Sequence, residues 1–144
     1  MTHRALGSGP LSRALAAIVF TTVALLEGRV ETARGQDQSA RLRVAETLRV
    51  RGATATLTFV SVQRDSRCPK GARCIRAGEA VVVLSVREGN GDATTLTFEV
   101  PPGGGASQSF HGYRIQIVGL DPQTETDVEI APSDYVATVA VRQP

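Results

Sequence analysis

The sequence predicts an all-β domain, an antiparallel immunoglobulin-like sandwich of about seven strands. Three observations carry this. Apolar residues recur with a period of 2 rather than 3.6 along most of the chain. Turn-forming Gly, Pro, Asn and Asp clusters separate the runs at short intervals. No segment combines a helical apolar stripe with capping residues. A small β-barrel is the alternative architecture.

The 144 residues are enough for one domain, and the first 35 read as a leader rather than as fold. Arg4 and Arg13 give a basic start. Leu15 to Leu26 is a 12-residue uncharged, mostly apolar run, the length of a secretory core and short of the roughly 20 residues that cross a bilayer. Ala33-Arg34-Gly35 places small residues where a signal peptidase reads them, so cleavage is expected after Gly35. No lipidation Cys follows the apolar run. The expected organisation is a cleaved signal peptide over 1–35, a short flexible N-terminus over 36–40, and one sandwich domain over 41–144. The exported product, periplasmic or extracellular, would not span the membrane.

The strands follow in order. Leu42, Val44, Leu48 and Val50 share a parity, interrupted by Glu46. Leu57 and Phe59 share another, and Val60 and Val62 take the opposite one, as at a bulge or in a strand buried on both faces. Ala80 to Val86 is nearly continuous in apolar residues and is expected to be central. Leu96, Phe98 and Val100 alternate with Thr95, Thr97 and Glu99, as a half-buried strand does. Tyr113, Ile115 and Ile117 alternate likewise, as do Tyr135, Ala137, Val139 and Val141. Gly89-Asn90-Gly91-Asp92 is a hairpin turn, because Gly and Asn tolerate positive φ. Pro101 to Gly105 is a loop, and a second loop runs from Asp121-Pro122 to Pro132. Ser133-Asp134-Tyr135 has a faint likeness to a tyrosine corner; the plainer expectation is a core-edge tyrosine.

Composition excludes several chemistries. Two Cys and two His are too few for a zinc ribbon or finger, and no metal or other cofactor is expected. The formal charge of +2 gives no case for nucleic acid. Removing Arg4, Arg13, Arg29, Arg34, Glu27 and Glu31 with the leader leaves twelve basic and twelve acidic residues. No P-loop, nucleophile elbow or dinucleotide fingerprint occurs, and the Gly103 to Gly105 run precedes no helix that would cradle phosphate. His111 is the last His of the chain. A triad with Ser107 or Ser109 and an Asp is formally possible, but nothing in the sequence assembles it. The expectation is a protein without catalysis.

One segment stands out. Arg64 to Arg76 reads RDSRCPKGARCIR. Cys68 and Cys74 enclose five residues, and in an oxidising compartment they are expected to form a disulfide, with Pro69 and Gly71 permitting the turn. A catalytic redox pair would sit as Cys-x-x-Cys at a helix start, unlike this strand-to-strand context. Arg64, Arg67, Lys70, Arg73 and Arg76 against Asp65 give the segment a charge of +4. Asp121, Glu125, Asp127, Glu129 and Asp134 give the stretch 121–134 a charge of −5. The two stretches are solvated loops, or they neutralise each other within the fold, or the basic loop meets an acidic partner such as an anionic glycan, a lipid headgroup, another envelope component or a protein. Asp65 is expected to accept backbone N–H bonds in the turn or to pair with Arg67; a general base, the other reading, would need a nearby nucleophile or second carboxylate, and the sequence shows none.

The run Asp65-Ser66-Arg67-Cys68-Pro69, with Cys74 and then Ala77-Gly78-Glu79-Ala80, resembles a motif of uncharacterised exported bacterial proteins, many of them lipoproteins with short β-rich domains. Looser likeness extends to Gly112-Tyr113-Arg114-Ile115, Leu120-Asp121-Pro122 and Tyr135-Val136-Ala137-Thr138. The resemblance implies a fold and a compartment, with Asp65, Pro69, Gly78, Tyr113 and Tyr135 as structural positions, and implies no activity. Members often carry an aromatic, commonly Trp, where Arg76 stands here. Two functions follow as expectations: an exported binding or structural envelope protein that uses the basic loop, or a protease inhibitor presenting residues 67–73 to a trypsin-like enzyme. N-terminal sequencing of the protein recovered after export checks the leader: the chain is expected to begin at Gln36, and an intact Met1 start overturns the assignment.

Overall fold

The computed structural model describes residues 37–143, and the leader with its cleavage point lies outside them. Among the described residues eight strands form: β1 (Gln38–Arg43), β2 (Thr47–Arg49), β3 (Ala55–Asp65), β4 (Ala80–Glu88), β5 (Thr94–Val100), β6 (Ala106–Phe110), β7 (Tyr113–Asp121) and β8 (Val136–Arg142). One 3₁₀ turn, Pro132–Asp134, precedes β8. One four-stranded antiparallel sheet has the order β1-β8-β7-β6, and the other has β2-β3-β4-β5. The two-sheet sandwich is thus what the chain forms. Its connectivity is not the Greek key of immunoglobulin domains. β2 to β5 is a meander, β6 to β8 is a second meander, and β1 closes beside β8. No ladder joins β1 to β2 or β5 to β6, so the structure stops short of a closed barrel.

Two expectations are corrected at the N-terminal end. Gln38, Ser39 and Ala40 belong to β1, paired with Val141, Ala140 and Val139, rather than to a flexible segment. The Gln38 side chain explains the order: it donates to the Arg49 carbonyl at 3.0 Å and accepts from the Arg51 N–H at 2.8 Å. The run Leu42 to Val50 is two strands in different sheets. The chain crosses between sheets at Val44–Glu46, where Ala45 has φ 70° and its N–H bonds the Phe59 carbonyl at 2.7 Å. Glu46, the residue that broke the parity, bonds the Arg43 N–H at 2.8 Å and fixes this corner.

The remaining pattern is followed closely. β4 lies between β3 and β5, as its continuous apolar run requires. The parity slip in β3 is a pair of register shifts, between Phe59 and Ser61 and between Val62 and Arg64. Phe59, Val82, Leu84 and Phe98 from one sheet meet Ile115, Ile117, Val139 and Val141 from the other in a fully buried core. β6 was not legible in advance. It is joined to β7 by a two-residue turn in which both His111 and Gly112 have positive φ, the hairpin geometry that matches strand twist.

Three connections gather at one end of the sandwich: 66–79, 101–105 and 122–135. Gly104 seats the middle one. Its φ is 83°, and a Cβ there would lie 1.7 Å from the Val118 carbonyl oxygen on β7. Gly103, with φ 86°, has open space around it. Gly103→Ala is expected to cost only left-handed strain, about 1–3 kcal/mol. Gly104→Ala is expected to cost more, because the loop must also leave β7. Urea unfolding of the two variants checks the order, and equal losses would contradict it.

Candidate functional site

The site grows from the end of β3. Asp65 Oδ1 accepts the backbone N–H of Arg67 at 3.2 Å, an Asx turn that folds the Arg67 side chain back on the same carboxylate. The guanidinium then donates Nε to Oδ1 at 2.8 Å and Nη2 to Oδ2 at 2.6 Å. Nη1 donates to the Leu120 carbonyl at 2.6 Å and Nη2 to the Pro122 carbonyl at 2.8 Å. The Tyr135 hydroxyl donates to Asp65 Oδ2 at 3.2 Å. The Arg67 and Asp65 side chains are 8% and 7% exposed, so this ion pair is buried.

The expected Asp65–Arg67 pairing is therefore present, and it removes Arg67 from the candidate contact residues. Arg67 points inward because a paired, hydrogen-bonded guanidinium satisfies two carbonyls that the end of β7 leaves open. Tyr135 is a core-edge residue whose hydroxyl meets a carboxylate, not the backbone carbonyl of a tyrosine corner.

Protonation follows from this network. Burial disfavours the Asp65 carboxylate, but the Arg67 side-chain and backbone hydrogen bonds, its charge and the Tyr135 hydroxyl together outweigh it, and the Asp65 pKa falls below its ordinary value. Tyr135 moves the other way, raised by burial and by the Asp65 charge and hydrogen bond, against a smaller opposing effect of Arg67.

Beyond Arg67 the two strand ends continue as a stem. Ser66 N–H bonds the Glu79 carbonyl at 2.9 Å, and Cys68 N–H bonds the Ala77 carbonyl at 2.9 Å. Gly78 makes the close approach possible: at φ 67°, a Cβ would lie 1.7 Å from the Ser66 carbonyl oxygen. Cys68 and Cys74 form the expected disulfide, with Cα atoms 6.0 Å apart. Pro69 begins a tight turn closed by Ala72 N–H to the Pro69 carbonyl at 3.0 Å.

The ring docks on the acidic stretch through uncharged groups. Lys70 N–H bonds the Thr124 carbonyl at 2.8 Å, and the Thr124 hydroxyl bonds the Arg67 carbonyl at 2.9 Å. Arg64 pairs with Glu79 at 3.0 Å on the surface, and Asp121 pairs with Arg41 at 3.0 Å. Lys70, Arg73 and Arg76 are exposed. Among the described residues they form no ion pair with Glu125, Asp127, Glu129 or Asp134. Ile75, between Arg73 and Arg76, is fully exposed.

Sequence reasoning did not find the cleft beside the ring. It encloses about 220 Å³ between Pro101–Gly104 on one side and Gly119–Asp121, Gln123 and Thr124 on the other, with Arg67 and Cys68 among its walls. The two proline- and glycine-bearing loops were visible, but not their meeting at one end. Tyr113 lies away from this end, paired with Phe110 across the β6–β7 turn. His111 is exposed in that turn, where Nδ1 meets Glu88 Oε2 and the ring stacks on Phe110 at 4.2 Å. No group of three or more His, Cys, Asp or Glu side chains placed to hold a metal ion occurs among the described residues.

Fold and site together define a β-sandwich with a disulfide-closed basic loop docked across one end. The chain matches no family model, no curated protein and no solved structure.

Asp65→Asn is expected to cost about 3–5 kcal/mol at neutral pH, because it leaves Arg67 buried without its counter-ion. The depressed Asp65 pKa gives stability that is present above about pH 4 and lost as pH falls through the folded value. The raised Tyr135 pKa gives stability present below about pH 10 and lost as pH rises beyond it. Thermal melts from pH 2 to 11 check both: the gap between wild type and Asp65→Asn should narrow in acid, and a constant gap would contradict the pairing.

Proposed function

We propose that this is an exported, non-catalytic binding or structural protein of the bacterial envelope, whose disulfide-closed loop is its contact surface. The carrying observation is the exposure of Lys70 and Arg73 on the disulfide ring, and of Ile75 and Arg76 just beyond Cys74, on a loop held by the disulfide and by the Cys68–Ala77 and Lys70–Thr124 backbone hydrogen bonds. Rigid presentation lowers the ordering cost of association, so a few charges on such a ring act with more effect than the same charges on a mobile loop. The disulfide and the resemblance carried by Asp65 to Ala80 support an oxidising, exported location. The partner of such a surface is acidic. No helix among the described residues is long and apolar enough to cross a membrane.

The inhibitor alternative narrows to one residue. Arg67 faces inward and Lys70 sits in the Pro69–Ala72 turn, which leaves exposed Arg73 as the residue such an inhibitor would present.

Retention of the exported protein on immobilised heparin, as an anionic probe at high dilution, tests the contact surface. Binding is expected at about 0.05 M salt and to weaken steeply by about 0.3 M. Lys70→Ala/Arg73→Ala/Arg76→Ala should weaken it at least about tenfold, whereas Arg114→Ala, away from the ring, should not. Salt-independent retention, or none, would overturn the proposal.

A further inference from the structure

The acidic partner that the basic ring calls for has a counterpart on the chain itself. Glu125 to Glu129 is a formed turn: Val128 N–H bonds the Glu125 carbonyl at 3.3 Å, and Asp127 sits at its apex with φ 61°. Glu125, Asp127 and Glu129 are exposed there. Val128, between two of these acids, is 57% exposed, and Ile75, between Arg73 and Arg76, is 104% exposed. These are the two most exposed large apolar residues among those described. Each therefore stands in a frame of opposite charge, one basic and one acidic.

The frames are neighbours. The Lys70–Thr124 hydrogen bond places the acidic turn directly beside the ring. Within one chain no ion pair joins them among the described residues. A surface with a basic half and an adjacent acidic half is complementary to itself after a two-fold rotation. An anionic surface such as heparin can engage the basic half alone, whereas a second copy engages both halves at once.

We propose that the occupant of this surface is a second copy of the chain. The two molecules pack about a two-fold axis, with Lys70, Arg73 and Arg76 of each facing Glu125, Asp127 and Glu129 of the other. Ile75 then meets Val128 of the other copy, so each isolated apolar residue is covered inside a ring of paired charges. This rests on the ring being a contact surface and names the partner it meets.

Sedimentation of the exported protein tests it. Wild type is expected to dimerise at low salt, with a dissociation constant that rises at least about tenfold at roughly 0.5 M salt, where screening acts over only a few ångströms. Arg73→Glu/Arg76→Glu is expected to be monomeric, and so is Asp127→Lys/Glu129→Lys. An equimolar mixture of the two should recover the dimer, since one copy is then acidic on both halves and the other basic on both. That recovery also shows that both variants are folded. Ile75→Ser, an uncharged change at a fully exposed position, should weaken the dimer about tenfold. A wild type that stays monomeric at low salt, or a mixture that fails to recover the dimer, would overturn the proposal. A monomer that still binds heparin through the ring leaves the contact surface standing and removes only the second copy as its partner.

Discussion

The buried ion pair between Asp65 and Arg67 is the constraint on which this end of the molecule depends. Two charges taken out of water cost several kcal/mol each unless their hydrogen-bonding capacity is met. Here the carboxylate accepts from the Arg67 backbone, the guanidinium and the Tyr135 hydroxyl. The guanidinium also donates to the Leu120 and Pro122 carbonyls. No buried side-chain nitrogen or oxygen is left without a partner among the described residues. Such a pair selects an arrangement more than it adds stability, since any displacement of β3 from β7 strands a charge. One arginine thus joins the end of one sheet to the end of the other and to the loop that follows it.

The disulfide ring is an extension of that joint. Arg67 and Cys68 are adjacent, so the residue that closes the ring leaves directly from the residue that pins the sheets. Ser66 and Cys68 carry the β3–β4 pairing outward to Glu79 and Ala77, and Gly78 lets the two backbones close to contact. The ring adds a local closure, worth about 2–2.5 kcal/mol in a chain-entropy model for a loop of this size. Thr124 then holds it against the 122–124 segment through its carbonyl and hydroxyl. Stem, bridge and docking contacts together restrain a segment with no regular structure of its own.

Much of this was legible in the sequence, and what was missed has a physical pattern. Period-2 alternation exposed the strands that bury one face, and the β3 parity slip marked its register shifts correctly. Alternation cannot say which sheet a strand enters, so Leu42 to Val50 read as one strand although Ala45 and Glu46 turn it between two. β6, Ala106–Phe110, is rich in Ser and Gln and buries no residue fully, so no apolar signal announced it. The Asp65–Arg67 pairing was visible because an Asx turn is local. The burial of Arg67 was not, because it depends on Leu120 and Pro122, more than fifty residues away in the chain. A charge count treats all five basic residues of the segment alike; only the fold separates the inward one.

That separation changes what the charges mean. The buried pair consumes Arg67 and Asp65, and the surface pairs engage Arg64 with Glu79 and Asp121 with Arg41. The ring and the acidic stretch are then held together by backbone and hydroxyl groups, with Lys70 contributing its N–H rather than its ammonium. Docking would proceed with uncharged side chains at 70, 73 and 76, and equally at 125, 127 and 129. Exposed charge pairs contribute little to seating one segment on another. Here the seating is complete without them, and the chain's opposite charges stand side by side at one rigid end, uncommitted to the fold that presents them.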